Sequence, residues 1–350
     1  MTVVLTGEDL SLDQLVRIAR GSERVEPAAS ARERMARGRE IMERAFARGD
    51  AVYGLTTGYG VKKKVAVGGQ AIAEFSRRQL HDHRVPQGPP APPDVVRATM
   101  VRLANAFAAG TTGVRPLLAD IVIGALNDGR TPAMRRDGSL GASDLAPLSD
   151  LAADLLAGVD LQAGEALAFI NTSSYGTAGA ALAIHDTVRL LDAADVAGAL
   201  ALEGFAANPS VLHQGLEAVR SHPGLARTLR RYRRLLRGSF LFSDAPRNLQ
   251  DPLTFRSTAA IQAAARDAAE HAAAIVTVEL NASQGNPVVL VDHDTVVTAG
   301  NYEVLPLAAA LDYARLALVP ALTAASERTV KLLDTPWSGL PTGLAPAPDT

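Results

Sequence analysis

Tyr53 opens the stretch Tyr53-Gly54-Leu55-Thr56-Thr57-Gly58-Tyr59-Gly60, whose three glycines allow a backbone tight enough to approach a ligand closely. No Gly-Lys-Ser/Thr follows, so phosphate cradling is not its chemistry, and taken alone it reads as a mobile loop. A phenol that ionises near pH ~10 is a poor base at neutral pH, so proton transfer by Tyr53 needs surroundings that favour the phenolate. Arg256 ends the run Gln250-Asp251-Pro252-Leu253-Thr254-Phe255-Arg256. Its planar, five-donor guanidinium suits a carboxylate, although an isolated arginine is equally a structural or surface residue. Two polar clusters precede apolar helical stretches. In Gly138-Ser139-Leu140-Gly141-Ala142-Ser143-Asp144, Ser143 or Asp144 can serve as N-cap of a helix from Leu145. Asn171-Thr172-Ser173-Ser174 reads as a capping segment in the same way. His83 lies in the polar run His81-Asp82-His83-Arg84 and reads as a surface histidine. The seven histidines are dispersed, no His-Glu-x-x-His occurs, and no metal site is expected.

The elements that must position these residues are nearly all helical. Val96, Met100, Leu103 and Phe107 fall on one stripe, with a start at Pro93-Asp94. A second helix is expected from Leu117 to Leu126, stopped by Asn127-Asp128-Gly129, and a third from Leu145 to Leu156. Three long helices follow, at Thr177 to Ala206, Thr258 to Leu280, and Leu305 to Leu333 with a kink at Pro320. Hydrophobic residues make up 47% of the 350 positions but aromatics only 4%, so the core is built from Ala, Leu and Val. That favours closely approaching helices over β-branched strands. Long helices apolar over much of their circumference need more cover than one chain supplies, which predicts an all-α fold whose bundle is shared between subunits. The expected division is a helical domain over 1–165 holding the Tyr53 and Ser143 loops, a long-helix bundle over 166–335, and a loose tail over 336–350.

The same composition limits the partners. A net charge of -2 and a pI of about 6.4 set up no field for nucleic acid. The basic run from Thr228 to Arg237 is interleaved by one aromatic and reads as a solvated helical face, as does Lys62-Lys63-Lys64. Without cysteine there are no disulfides or thiolate metal sites. No N-terminal targeting segment and no apolar run of membrane-spanning length is visible in the sequence, which points to a cytoplasmic protein with neither nucleic-acid nor membrane partner.

Together these stretches resemble the aromatic amino acid ammonia-lyases, the family of histidine and phenylalanine ammonia-lyase. Tyr53 to Gly60 is similar to the family's Y-G-[IV]-N-T-G-F-G, whose tyrosine removes a β-proton from the substrate. Gly138 to Leu148 is similar to G-S-V-[GS]-A-S-G-D-L-A-P-L, whose Ala-Ser-Gly closes into the electrophile methylidene-imidazolone (MIO). Here Ser143 runs directly into Asp144, so the ring would have to form from Ala142-Ser143-Asp144. A side chain on the attacking residue crowds the approach of its nitrogen to the alanine carbonyl, so no cofactor is expected. Asn171 matches the asparagine of A-L-I-N-G-T-Q, and Arg256 matches the carboxylate-gripping arginine of Q-D-x-Y-S-x-R, whose catalytic tyrosine is Leu253 here. Gly113-Val114-Arg115-Pro116, Glu279 to Pro287, Gly300-Asn301-Tyr302 and Ser326-Glu327-Arg328 extend the resemblance, with Gly285 where the family has aspartate.

The resemblance implies Tyr53, Ser143, Asn171 and Arg256 as catalytic positions and Gly60, His83, Leu253, Asn286 and Tyr302 as substrate contacts. It implies a homo-oligomer, tetramer or dimer, acting on a small molecule. The family continues past its S-E-R helix into a helical region with an active-site glutamate, which is not expected in this sequence. The resulting expectation is an ammonia-lyase-fold enzyme that works without MIO. It would perform elimination, isomerisation or cyclisation on a small carboxylate or biosynthetic intermediate, with Tyr53 carrying the proton. Two alternatives stay open: an MIO-dependent ammonia-lyase or aminomutase, and a catalytically silent homologue acting as a binding or scaffold subunit.

Overall fold

The computed structural model describes residues 2–57 and 72–346, so Gly60 and Lys62-Lys63-Lys64 lie outside the described residues. The chain forms two compact units, one of Met1–His185 with Ala273–Leu307 and the other of Asp186–Ala272 with Ala308–Thr350. Their boundaries fall inside long helices, whereas the sequence suggested a division at residue 165.

In the first unit, β1 (Thr2–Leu5) pairs in parallel with β2 (Arg24–Pro27) across α1 (Leu12–Gly21), which begins in a capping box between Ser11 and Gln14. Then come α2 (Ala29–Arg48), α3 (Ile72–Asp82), β3 (Gln87–Pro90), α4 (Pro93–Ala108) and α5 (Pro116–Asn127). They are followed by β4 (Arg135–Asp137), antiparallel to β3, then α6 (Leu145–Leu155), α7 (Glu165–Ile170) and the start of α8 (Ser174–Phe205). The second unit takes the rest of α8, then α9 (Leu216–Val219), α10 (Pro223–Leu235), α11 (Leu253–Arg256) and most of α12 (Thr258–Asn281). The antiparallel pair β5 (Val288–Leu290) and β6 (Thr295–Val297) returns to the first unit; α13 (Leu305–Leu333) and α14 (Thr335–Ser338) follow.

The helical expectation holds to within a few residues at each end, and α13 runs through Pro320 as one element. The three strand pairs qualify it. Each strand is three or four residues long, so they are clips between helices and not a layer of the core. The expected loose tail contains the turn of α14 and a 3₁₀ turn at Thr342–Leu344.

The expected stripe on α4, Val96, Met100, Leu103 and Phe107, is buried, and so is every other residue from Val96 to Ala108, including Arg97, Arg102 and Asn105. Their polar groups are spent on the C-terminal ends of other helices, where carbonyls lack intrahelical donors. Arg97 donates to Ile18 O (3.0 Å) and Ala19 O (3.1 Å) at the end of α1 and to Leu126 O (3.2 Å) at the end of α5. Arg102, fully buried, donates to Glu279 O (2.9 Å) and Ala282 O (2.6 Å) where α12 ends. Burial pulls both guanidiniums below their ordinary value, Arg102 to about 10, with Glu279 partly offsetting this for Arg102. A cation at a helix C-terminus also meets the negative end of the macrodipole.

In the second unit Phe205 and Phe255 stack at 4.1 Å between centroids, within a cluster containing Leu202, Leu229 and Tyr232. Asp195 is fully buried beside Arg266 (2.5 Å) and Arg231 (2.9 Å); its burial raises the carboxyl pKa, opposed by the two arginines. The basic run on α10 is an ion-paired face, with Arg230 bonded to Glu217 at 3.1 Å. By length and composition alone α13 could cross a membrane, and Leu316, Val319 and Leu322 on it are exposed, but Asp312 and Arg315 interrupt its apolar run.

Arg102→Ala strips two helix-end carbonyls of their donor and leaves a cavity, and is expected to lower unfolding stability by roughly 3–5 kcal/mol. Urea denaturation checks this; a loss under ~1 kcal/mol would show that the clamp is dispensable.

Candidate active site

Tyr53 stands on a turn closed by Leu55 N–H and Thr56 N–H to Val52 O, both 3.1 Å, and by Thr56 Oγ1 donating to Asp50 O. Gly54 follows at φ +69°, and a Cβ there would lie 2.2 Å from Leu167 Cδ2. The positive φ favours glycine there, and the missing Cβ lets the loop lie directly against α7. Tyr53, Asn171 and Asn286 line one pocket of the first unit, with a cavity volume of about 20 Å³. Its walls are largely apolar, with Leu103 and Phe107 from α4 and Leu167 from α7.

Asn171 is placed by the end of α7, where its N–H donates to Leu167 O (2.8 Å). The start of α7 is held by Glu165, a fully buried carboxylate that accepts from Arg115 Nε (2.8 Å), Arg115 Nη2 (2.7 Å) and the Arg115 backbone N–H (3.0 Å). Arg115 precedes Pro116 at the start of α5, so the Gly-Val-Arg-Pro motif positions Asn171 through this ion pair.

Asn171 then orders the Ser143 loop. Ser143 Oγ donates to Asn171 Oδ1 (2.7 Å), while Asn171 Nδ2 donates to Asn286 O (2.7 Å). Ser143 is buried at φ +65°, a left-handed conformation that strains a residue bearing a Cβ. The following residue departs from the sequence expectation. Asp144 occupies the N-cap position of α6 but makes no side-chain cap there. Its carboxylate reaches the start of α8 instead, accepting from Gly176 N–H (2.8 Å), and accepts from Ser139 Oγ (2.7 Å). The Asp144 N–H donates to Thr172 O (2.9 Å). Burial raises the carboxyl above its usual range, opposed by the bonds from Gly176, Ser139 and Tyr175.

The other expected site residues are distributed differently. Asn286 spends its side chain structurally, accepting from Ala299 N–H (3.0 Å). His83 Nδ1 is 2.7 Å from Gln79 O, and neither His83 nor Tyr302 is a wall residue of this pocket. Ala142 is exposed beside buried Ser143. Arg256 and Leu253 belong to the second unit, both exposed, with Arg256 Nη1 donating to Gln250 Oε1. Sequence reasoning missed Ser139 and Gln284. Gln284 bonds Glu279 (2.6 Å), Thr177 (3.0 Å) and Thr172 (3.3 Å) beneath the pocket, contacts between distant segments that no local spacing displays.

A sequence profile of the aromatic amino acid lyases matches residues 10–158 and 155–350. The chain belongs to the aromatic amino acid lyase family. It is 34% identical over 366 residues to a histidine ammonia-lyase of Symbiobacterium thermophilum, covering 97% of this chain and 72% of that one. Among solved structures, an ergothionase from Treponema denticola superposes with a TM-score of 0.93 at 25% identity, over 100% of this chain and 75% of that one. Tyrosine aminomutase from Streptomyces globisporus superposes with a TM-score of 0.91 at 27% identity, over 98% and 73%. This aromatic amino acid lyase family member is thus similar to lyases and to an aminomutase, and its fold is that of the ammonia-lyases.

The Asp144 carboxylate gives this family member a pH signature. Its pKa in the fold lies above the unfolded value, so between the two values the folded state binds more protons and stability falls as pH rises. Asp144→Asn removes that term, so the difference in melting temperature, wild type minus variant, should grow in favour of wild type as pH is lowered from neutral. A pH-independent difference would refute the assignment. Asp144→Ala, which leaves Gly176 N–H without an acceptor, should cost about 1–3 kcal/mol at neutral pH.

Proposed function

We propose that this protein is a lyase-like enzyme that performs acid/base elimination, isomerisation or cyclisation on a small carboxylate or biosynthetic intermediate without MIO. The observation that carries the second part is the commitment of Asp144. An MIO ring would need the Asp144 amide nitrogen to bond the Ala142 carbonyl carbon. That nitrogen's hydrogen instead points to Thr172 O, and the attached carboxylate is tied to Gly176 and Ser139. Ring closure would give up the amide hydrogen bond and pull on the carboxylate's two, so the residues present do not fit the group.

In this reading Tyr53 Oη takes the proton from the carbon beside the substrate's activating group. The C–H electrons form the new double bond, and the leaving group departs from the neighbouring carbon with its own electron pair. No electrophile is invoked to activate an amine, so the leaving group is one that departs more readily than an unactivated amine. Asn171, held through Ser143 and Asn286, orients the substrate. The exposed apolar residues of α13 support a homo-oligomer, since burying them against another copy removes them from water.

Tyr53→Phe removes the proton carrier and should lower turnover of small β-substituted carboxylates about 10²–10⁴-fold. Rates like wild type would remove Tyr53 from the mechanism. Intact mass spectrometry addresses the ring directly. The wild-type chain should show its unmodified mass, whereas a variant with glycine inserted between Ser143 and Asp144 should lose two waters; loss of two waters in wild type would overturn the MIO-free reading.

A further inference from the structure

The basic face of α10 is not exhausted by its ion pairs. α10 buries Leu225, Leu229 and Tyr232 in the apolar cluster of the second unit, which turns its other side outward. On that side Arg227, Arg230, Arg231 and Arg234 recur at helical spacing, and with Arg266 of α12 they line an open groove of about 360 Å³. Glu270 is the one acidic residue among the described residues of its wall. α10 itself contains no Asp or Glu, so every carboxylate that pairs with the row comes from another element. Like charges three and four positions apart on a helix repel, and a face that only has to be wet mixes both signs.

Donors remain along this row. Arg227 makes both of its ion pairs, to Asp267 (2.9 Å) and Glu270 (2.6 Å), through Nη2 alone, and Arg230 uses only Nη1 on Glu217 (3.1 Å). Arg234 is exposed and makes no hydrogen bond or ion pair through its side chain among the described residues. Arg231 and Arg266 are held by Asp192 and the buried Asp195, which fixes their position at the groove without either carboxylate forming part of its wall. From Arg227 to Arg234 the row is about 10 Å long at ~1.5 Å per residue. A lone carboxylate or phosphate meets only part of such a row, whereas a chain of phosphates runs along it, and guanidinium forks match phosphate oxygens in shape and charge. We propose that the groove between α10 and α12 binds a linear polyphosphate group, borne by a free polyphosphate or by a nucleoside triphosphate. The groove belongs to the second unit and the Tyr53 pocket to the first, so this site stands independently of the lyase reading.

Titration calorimetry of the full chain with inorganic tripolyphosphate, without divalent cations, tests the site. At low salt tripolyphosphate should bind at least ~10-fold more tightly than orthophosphate, and raising salt to about 0.5 M should weaken it at least ~10-fold, because exposed charges are screened. Arg234→Gln changes an exposed side chain with no partner to lose, so the fold survives it, and it should weaken tripolyphosphate binding at least ~5-fold. Arg237→Gln removes an equal charge just beyond the groove and should leave the affinity within about 2-fold of wild type. Absence of binding, equal affinity for orthophosphate, indifference to salt, or no loss in Arg234→Gln would each overturn the proposal. A loss in Arg237→Gln as large as in Arg234→Gln would overturn it too, by reducing the effect to general attraction along the basic run. ATP as a second probe assigns the source: binding no tighter than tripolyphosphate supports recognition of the phosphates alone, and tighter binding supports a nucleotide.

Discussion

A helix buried at its end must find partners for backbone groups that its own hydrogen-bond ladder leaves open. In a chain with so few aromatic residues, small side chains let helices approach closely, and many of their ends lie where water cannot reach. Charged side chains therefore close them. Arg97 and Arg102 serve the C-terminal carbonyls of α1, α5 and α12, and the Asp144 carboxylate serves an N-terminal amide of α8. The signs follow the macrodipole, with cations at negative ends and an anion at a positive one.

This requirement shapes the site. The segment after α12 that contributes Gln284, Asn286 and Pro287 to the pocket begins at the carbonyl held by Arg102. Asn171 projects from α7 because Glu165 is locked to Arg115 at the other end of that short helix. The loop that precedes α6 then hangs between two fixed points, Asn171 through Ser143 and α8 through Asp144. Ser143 runs directly into Asp144, and the Asp144 carboxylate ties this loop to the Gly176 N–H at the start of α8.

Much of the site was legible from single motifs. The tyrosine before a glycine predicts a close backbone approach, and Gly54 lies against Leu167 as that requires. Asn171 before a polar cluster predicts a helix boundary, and it is one. What stayed hidden depends on partners distant in sequence. Asp144 was expected to cap the helix that begins one residue later, but an N-terminus 30 residues further on lies closer to its carboxylate in space. The buried α4 arginines stayed hidden for a related reason: a guanidinium counts as polar in any periodicity, yet becomes an interior residue when helix ends supply carbonyls.

By itself the sequence determined the helical class, the start of α4, the ends of α5, α12 and α13 to within a residue or two, and the family, because capping residues, prolines and apolar periodicity act over a few positions. The tertiary structure alone decided which helix the Asp144 carboxylate serves and which wall residues share a pocket with Tyr53. These depend on where helices cross, which is set by side-chain packing across the chain and not by neighbours along it.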